Sequence, residues 1–183
     1  MSIFNLPLSF NLDTKGLGGA YWKDAEPFYP NDKIRQVERA SIRAFMEKYR
    51  GLLRGRVLDF GAGTRPYQDL VDGEYVPLEQ GDWFGPGPFD AVMCNQVAQY
   101  LGDPSAALDE IACRLRQGGR LVMTYPTNWP EVEETDLWRF TKAGMTHLLE
   151  GAGFTILAHD LRAELVSGAN RFALGYGVVC TRS

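Results

Sequence analysis

The stretch VLDFGAGTRPY, residues 57–67, decides how this chain is read. Apolar residues run into an aspartate, two glycines follow at alternate positions, and an arginine and a proline stand just beyond. An apolar strand feeding a glycine-rich turn brings backbone N–H groups close to a ligand. The dinucleotide fingerprint G-x-G-x-x-G would put its third glycine at position 66, where this chain has Pro66. Pro66 thus argues against a dinucleotide, and a dehydrogenase stays as a rival reading.

Working outward, strands and helices alternate. Residues 1–30 are rich in Gly, Pro, Asn and aromatics and read as an irregular N-terminal arm, ahead of a single domain over 31–183. Asn31 is placed to cap a helix running through Arg50, with Ile34, Val37, Ile42, Phe45, Met46 and Tyr49 mostly on one stripe. Its basic residues read as a solvated face. Strands are predicted over 56–60, 75–78, 89–94, 121–125, 154–158 and 173–180. A short helix falls at 68–71. Asp103-Pro104 opens a helix that Gly118-Gly119 closes, and a last helix spans 141–150. Pro77 lacks a donor, which places its strand near a sheet edge. Alternating strands and helices argue an α/β sandwich with a mostly parallel sheet, whose ligands bind beyond the carboxyl ends of the strands.

Bulk properties narrow the classes. With 183 residues, 45% hydrophobic and 23% charged, the chain has the size and balance of one globular domain. The net charge of −4 gives no support to nucleic-acid binding. The three cysteines, Cys94, Cys113 and Cys180, form no C-x-x-C pair, so a disulfide framework or cysteine metal site is not expected and a reducing cytoplasm fits. The N-terminus lacks the pattern of a signal peptide, and no apolar run is long enough to span a membrane.

The acids near the turn define its ligand. Asp59 at the mouth repels a phosphate and suits an ammonium group. Glu79 follows 20 residues later, the distance at which an acid beyond a glycine-rich turn accepts both hydroxyls of a ribose. An amino group, a ribose and a base together describe S-adenosylmethionine.

Here a family resemblance enters. VLDFGAGT resembles motif I of the class I S-adenosylmethionine-dependent methyltransferases. YVPLE and FDAVMCNQVAQYL resemble their second-motif and fourth-strand segments, and DPSAALDEIACRLRQGGRLVMTYP is similar to the helix, double-glycine turn and fifth strand. DLWRFTKAGMTHLLEGAGF resembles the W-R-[FY]-T stretch of a bacterial subgroup within the methyltransferase type 11-like enzymes. The resemblance covers residues 52–160. It implies a Rossmann-like three-layer α/β/α sandwich with a mostly parallel sheet and an antiparallel last strand. It also implies S-adenosylmethionine as cofactor. By position, cofactor contacts fall on Asp59, Gly61, Ala62, Gly63 and Glu79, on Asp82 and Trp83 at the adenine, and on Asn95 and Gln96 after the fourth strand.

Three departures stand out. The third motif glycine, often at the position of Arg65, is missing; a positive φ is costly for arginine, so a redrawn turn is expected there, with Pro66 starting a helix. Only nine residues, 80–88, separate Glu79 from Phe89, so the sheet should be shortened around its third strand. The family's acid and histidine after the fourth strand are replaced by Gln96, Ala98 and Gln99.

The resemblance places the segment 126–139 beside the acceptor. Asn128, Trp138 and Arg139 are the substrate-binding candidates. Tyr125, Glu134 and Asp136 are unranked candidates for a base, and Arg139 with Asp136 also reads as a bracing salt bridge. Tyr21 and Trp22 either anchor the arm or face a sulfonium, the former favoured. His147 and His159 read as structural. The implied activity is methyl transfer to O or N of a small-molecule or glycan acceptor. The alternatives are a degenerate binding module and an enzyme acting on RNA or protein.

Overall fold

The computed structural model describes residues 10–11, 21–22, 32–79, 87–131, 135–167 and 170–183. Eight strands form one sheet: β1 Phe10–Asn11, β2 Tyr21–Trp22, β3 Arg54–Phe60, β4 Asp72–Leu78, β5 Phe89–Asn95, β6 Leu115–Pro126, β7 Phe154–Ser167 and β8 Asn170–Arg182. The helices are α1 Asp32–Lys48, α2 Pro104–Arg114 and α3 Lys142–Gly151. Strand order is β2-β1-β7-β8-β6-β5-β3-β4. β4, β3, β5 and β6 run parallel, and β8 inserts antiparallel between β6 and β7. The expected α/β sandwich with an antiparallel last strand is what forms.

The helices divide between the two faces. Ile42, Phe45 and Met46 of α1 pack on Val57, Ala91, Met93, Val122 and Val179. Leu108 and Ile111 of α2, with Met145 and Leu149 of α3, pack on the other face against Leu58, Val92, Leu121 and Met123. Alternate residues of each strand point to opposite faces, so buried strands carry continuous apolar runs. α1 lies close to β8: a Cβ on Gly177 would stand 2.5 Å from the Phe45 ring.

The Asp103 cap forms as the sequence indicates, Asn31 lies outside the described residues, and Thr141 caps the last helix as well. Asp103 accepts from Ala106 N at 3.0 Å with Pro104 at the first helical position, and Thr141 accepts from Gly144 N at 3.0 Å. β4, carrying Pro77, lies at the sheet edge, and no strand among the described residues pairs beyond it.

Several boundaries differ from expectation. α2 ends at Arg114, and β6 begins at Leu115 and passes through Gly118-Gly119, because Leu115 joins the ladder opposite Phe89. β7 and β8 run far past their apolar segments and pair through Ser167↔Asn170. Pro66 starts no helix; a single 3-10 turn, Gln68–Leu70, follows it instead. In the N-terminal arm, β1 and β2 pair with each other and β1 adds to β7 through Asn11↔Val166.

Candidate active site

The turn of residues 61–67 leaves β3 at its carboxyl end, beside the end of β5. Gly61 and Gly63 adopt φ +76° and +50°, and Arg65 adopts +59°. The expectation that the turn avoids a positive φ at Arg65 is thus overturned. The Arg65 N–H donates to Ala62 O at 2.8 Å, and this tight loop holds the arginine in the left-handed region. Gly61 and Ala62 donate their N–H groups to Leu78 O at 2.8 and 3.1 Å, tying the turn to the end of β4. Gly61 must be glycine twice over: its φ is positive, and a Cβ would lie 2.4 Å from Val97 Cγ2.

Asp59 is 3% exposed, and Tyr75 Oη donates to its Oδ2 at 2.6 Å. Burial pushes its carboxyl up to about 6, with the Tyr75 hydrogen bond opposing and the Glu79 charge adding to the rise. Glu79 follows β4 at the surface and accepts from Gly63 N at 3.3 Å. Asp59, Gly61, Ala62, Gly63 and Glu79 are thus brought together. Asn95 and Gln96 join them, since β3 and β5 are paired through Phe60↔Cys94, at the last residue of β3 and the last but one of β5. Gln96 also has a positive φ, +57°, and its N–H donates to Thr124 O at 3.0 Å. Asp82 and Trp83 lie outside the described residues, as does Glu134.

These residues fit S-adenosylmethionine. A buried carboxylate suits an ammonium, and an exposed acid beside the turn suits ribose hydroxyls. A Cβ on Gly63 would meet nothing within 4 Å, so a ligand can approach that backbone. Asn95 Nδ2, buried and without a hydrogen-bond partner among the described residues, is a donor left for a ligand at the end of β5.

Gln96 also lines a cleft of about 180 Å³, together with Arg35, Glu38, Arg39, Gln99, Trp129, Asp136 and Arg139 among others. α1 forms one wall, and the segments after β5 and β6 form the rest. Arg139 donates to Asp136 Oδ1 and Oδ2 at 2.5 and 2.6 Å and to the carbonyls of Trp129 and Pro130, both at 2.8 Å. The bracing salt bridge read from the sequence is present. Asn128 and Trp138 do not line the cleft: Asn128 Nδ2 donates to Ala173 O and Trp138 Nε1 to Leu101 O.

Tyr125 does not line it either. Its ring packs in the core with Phe140, and its hydroxyl sits 2.6 Å from His159 Nε2. Burial raises the phenol, and burial with the Lys142 charge lowers His159 to about 4, so neither exchanges a proton near neutrality. Tyr21 and Trp22 are at the far sheet edge from the turn, with β1, β7, β8, β6 and β5 between.

Sequence reasoning missed Glu38 and Arg162, and named Gln99 only as a replacement for the family's acid and histidine. Arg162 of β7 is fully buried and reaches α1, donating to Ser41 Oγ and Glu38 Oε1, each at 2.9 Å, and to Tyr176 O at 3.0 Å. The signal was weak: an arginine inside a strand and a glutamate among solvated helix charges.

The family model of a methyltransferase domain matches residues 30–159. The chain belongs to this methyltransferase family. Among solved structures, the methyltransferase is similar to an S-adenosylmethionine-dependent methyltransferase from Mesorhizobium loti, at 14% identity over 80% of this chain and 98% of that one, with a TM-score of 0.55. It is similar to magnesium protoporphyrin IX methyltransferase from Synechocystis PCC 6803 with S-adenosylmethionine bound, at 15% identity over 85% and 86%, TM-score 0.58. A third is 1,6-didemethyltoxoflavin-N1-methyltransferase from Burkholderia thailandensis, at 15% identity over 87% and 93%, TM-score 0.54. At these identities the likeness is one of fold. No curated protein matches the sequence. Family and fold together bear out the resemblance to class I S-adenosylmethionine-dependent methyltransferases. Among the described residues, no helix is long and apolar enough to cross a membrane, and no cluster of metal-ligating side chains occurs.

Proposed function

We propose that this methyltransferase modifies an O or N atom of a small polar molecule, or of one terminal unit of a glycan, held in the cleft beside Gln96. The observation that carries this reading is the cleft itself. Its volume of about 180 Å³ is below the roughly 300–1,000 Å³ of drug-sized pockets, and its lining sets carboxylate, amide and guanidinium groups among the apolar surface of Trp129, Tyr100 and Pro126. A single ring or short chain matches that size. RNA or protein acceptors would have to enter as one side group, and the net charge of −4 offers an RNA no attraction.

When bound, the cofactor supplies an electrophilic methyl group on a sulfonium. The chain's own residues then bind and orient. Asp59 accepts the ammonium, Glu79 the ribose hydroxyls, and the Gly61–Gly63 backbone allows close approach. Asn95 and Gln96 stand between turn and cleft. The cleft aligns the acceptor and limits water, which supplies much of the acceleration for a reagent already activated. Asp136 is the described base candidate that lines the cleft, with Arg139 holding it in place. The buried thiols Cys94 and Cys180 suit a reducing cytoplasm.

Calorimetric titration with S-adenosylmethionine and S-adenosylhomocysteine, followed by assay of S-adenosylhomocysteine release with pooled small metabolites, tests the reading. Absence of binding to either nucleoside sinks it. Binding without turnover on any acceptor class favours a degenerate binding module, the reading that the short 80–88 segment also suits.

A further inference from the structure

The residues lining the cleft include two buried acceptor atoms with no donor among the described residues. Glu38 is 8% exposed; its Oε1 takes the Arg162 hydrogen bond, and its Oε2 has no hydrogen-bond partner among the described residues. Gln99 is 4% exposed; its Nε2 donates to Gln96 O at 2.9 Å, and its Oε1 likewise has no partner there. That donation fixes which way the amide faces, because only the nitrogen can donate to a carbonyl. A buried acceptor left without a donor costs about 1–3 kcal/mol. Both side chains line the same cleft.

Arg35, Arg39 and Arg139 line the cleft, and none of them donates to either atom. Arg139 is committed to Asp136 and three carbonyls, and Arg162, behind the lining, to Ser41 Oγ, Tyr176 O and Glu38 Oε1. Glu38 therefore keeps one oxygen without a donor although Arg162 pairs with the other. An occupant that donates hydrogen bonds satisfies such atoms, and one that lacks donors leaves them unpaired.

We propose that Glu38 and Gln99 are specificity-determining residues and that the methyl acceptor presents at least two O–H or N–H donors to them, as a polyol or amino-polyol does. This rests on the cleft being the acceptor site of the methyltransferase. Trp129 in the lining adds an aromatic surface of the kind on which the C–H face of such a molecule packs.

The test uses the full chain saturated with S-adenosylhomocysteine, titrated in NMR with glucose, with glucosamine and with fully O-methylated glucose, which has no donors. A response to glucose or glucosamine and none to the methylated sugar is expected, and the stronger of the two distinguishes a neutral from an amino acceptor. Gln99→Met removes one acceptor, and Glu38→Gln leaves Arg162 a carbonyl while turning the second acceptor into a donor. Each should weaken the sugar about tenfold or more, the loss of one such hydrogen bond, with S-adenosylhomocysteine affinity unchanged. Equal response to the methylated sugar, variants that bind as the parent does, or no response to any sugar overturns the proposal. If Glu38→Gln does not fold, Gln99→Met decides alone. A parent that fails to bind S-adenosylhomocysteine overturns the methyltransferase reading itself, a separate result.

Discussion

Tyr75 Oη donates to Asp59 Oδ2 at 2.6 Å, joining the edge strand β4 to the acid that ends the neighbouring strand β3. This one hydrogen bond only partly offsets the burial that raises the Asp59 carboxyl from 3.8 to about 6. A rise of that size corresponds to about 3 kcal/mol of folding stability forgone at neutral pH, an order-of-magnitude figure. The sign follows from linkage: the folded state holds the proton more tightly, so stability falls as pH rises from about 4 to 6. Asp59→Asn removes the charge, and its carbonyl can still accept from Tyr75. It should raise the melting temperature at pH 7.5, by several degrees for a gain of about 1–2 kcal/mol, and abolish S-adenosylmethionine binding. A thermal melt and a calorimetric titration of the same sample check both outcomes; an unchanged affinity would remove Asp59 from the site.

The same carboxyl sets a pH dependence for the cofactor. An ammonium prefers the ionised form of Asp59, which prevails above about pH 6. Affinity for S-adenosylhomocysteine should be level from pH 7 to 8 and fall about tenfold per pH unit below 6. Asp59→Asn should flatten that profile. A flat profile in the parent would mean that the amino group docks elsewhere.

Glu79 lies at the surface, so its removal costs the fold little while taking away the proposed ribose contacts. Hydrogen bonds to a charged acceptor contribute about 1.5–3 kcal/mol each. Glu79→Ala should weaken S-adenosylmethionine about tenfold to a hundredfold with a melting temperature near that of the parent. Glu79→Asp, shorter by one methylene, should fall between.

What could be read in the sequence was what local pattern encodes. Apolar runs ending in Asp59, Glu79 and Asn95 gave the parallel strands, and Asp103-Pro104 and Thr141 gave their helix starts. The proposed cofactor turn could be picked out because its residues lie within one short stretch and one strand spacing. The cleft was not, because its walls come together from α1 and from the segments after β5 and β6. Glu38 and Gln99 carry no local signal of burial; Glu38 is buried where Arg162, far along the chain in β7, crosses to α1. The length of β7 was hidden for the same reason: its polar residues are matched by partners, not by apolar periodicity. Tyr125 was misplaced because strand alternation assigns faces only relative to a register that the sequence does not contain.

Arg162 ties β7 to α1 through a side chain with no exposed surface. Removing one partner of a buried ion pair leaves the other charge uncompensated, at a cost of about 3–5 kcal/mol. Arg162→Met should therefore lower the melting temperature sharply, and Glu38→Gln in the same chain should recover part of that loss. Double-mutant analysis of denaturant unfolding measures the coupling. Additivity of the two changes would show that the pair does not hold α1 in place.

Arg65 occupies the position at which a third glycine would end the motif, and it does so at φ +59°. A left-handed conformation costs a non-glycine residue about 1–2 kcal/mol. Arg65→Gly relieves that cost but adds freedom to the unfolded chain, so a net gain of about 0.5–1 kcal/mol is expected. The Arg65 charge also draws the Asp59 carboxyl downward, against the burial that raises it. Its loss should move the acid limb of cofactor affinity to higher pH. The two effects are read separately, stability from denaturant unfolding and the limb from binding titrations between pH 5 and 8. Arg65→Lys keeps the charge and the strain, and should leave both where the parent has them. A stabilised Arg65→Gly with an unmoved acid limb would show that the arginine's charge does not reach Asp59.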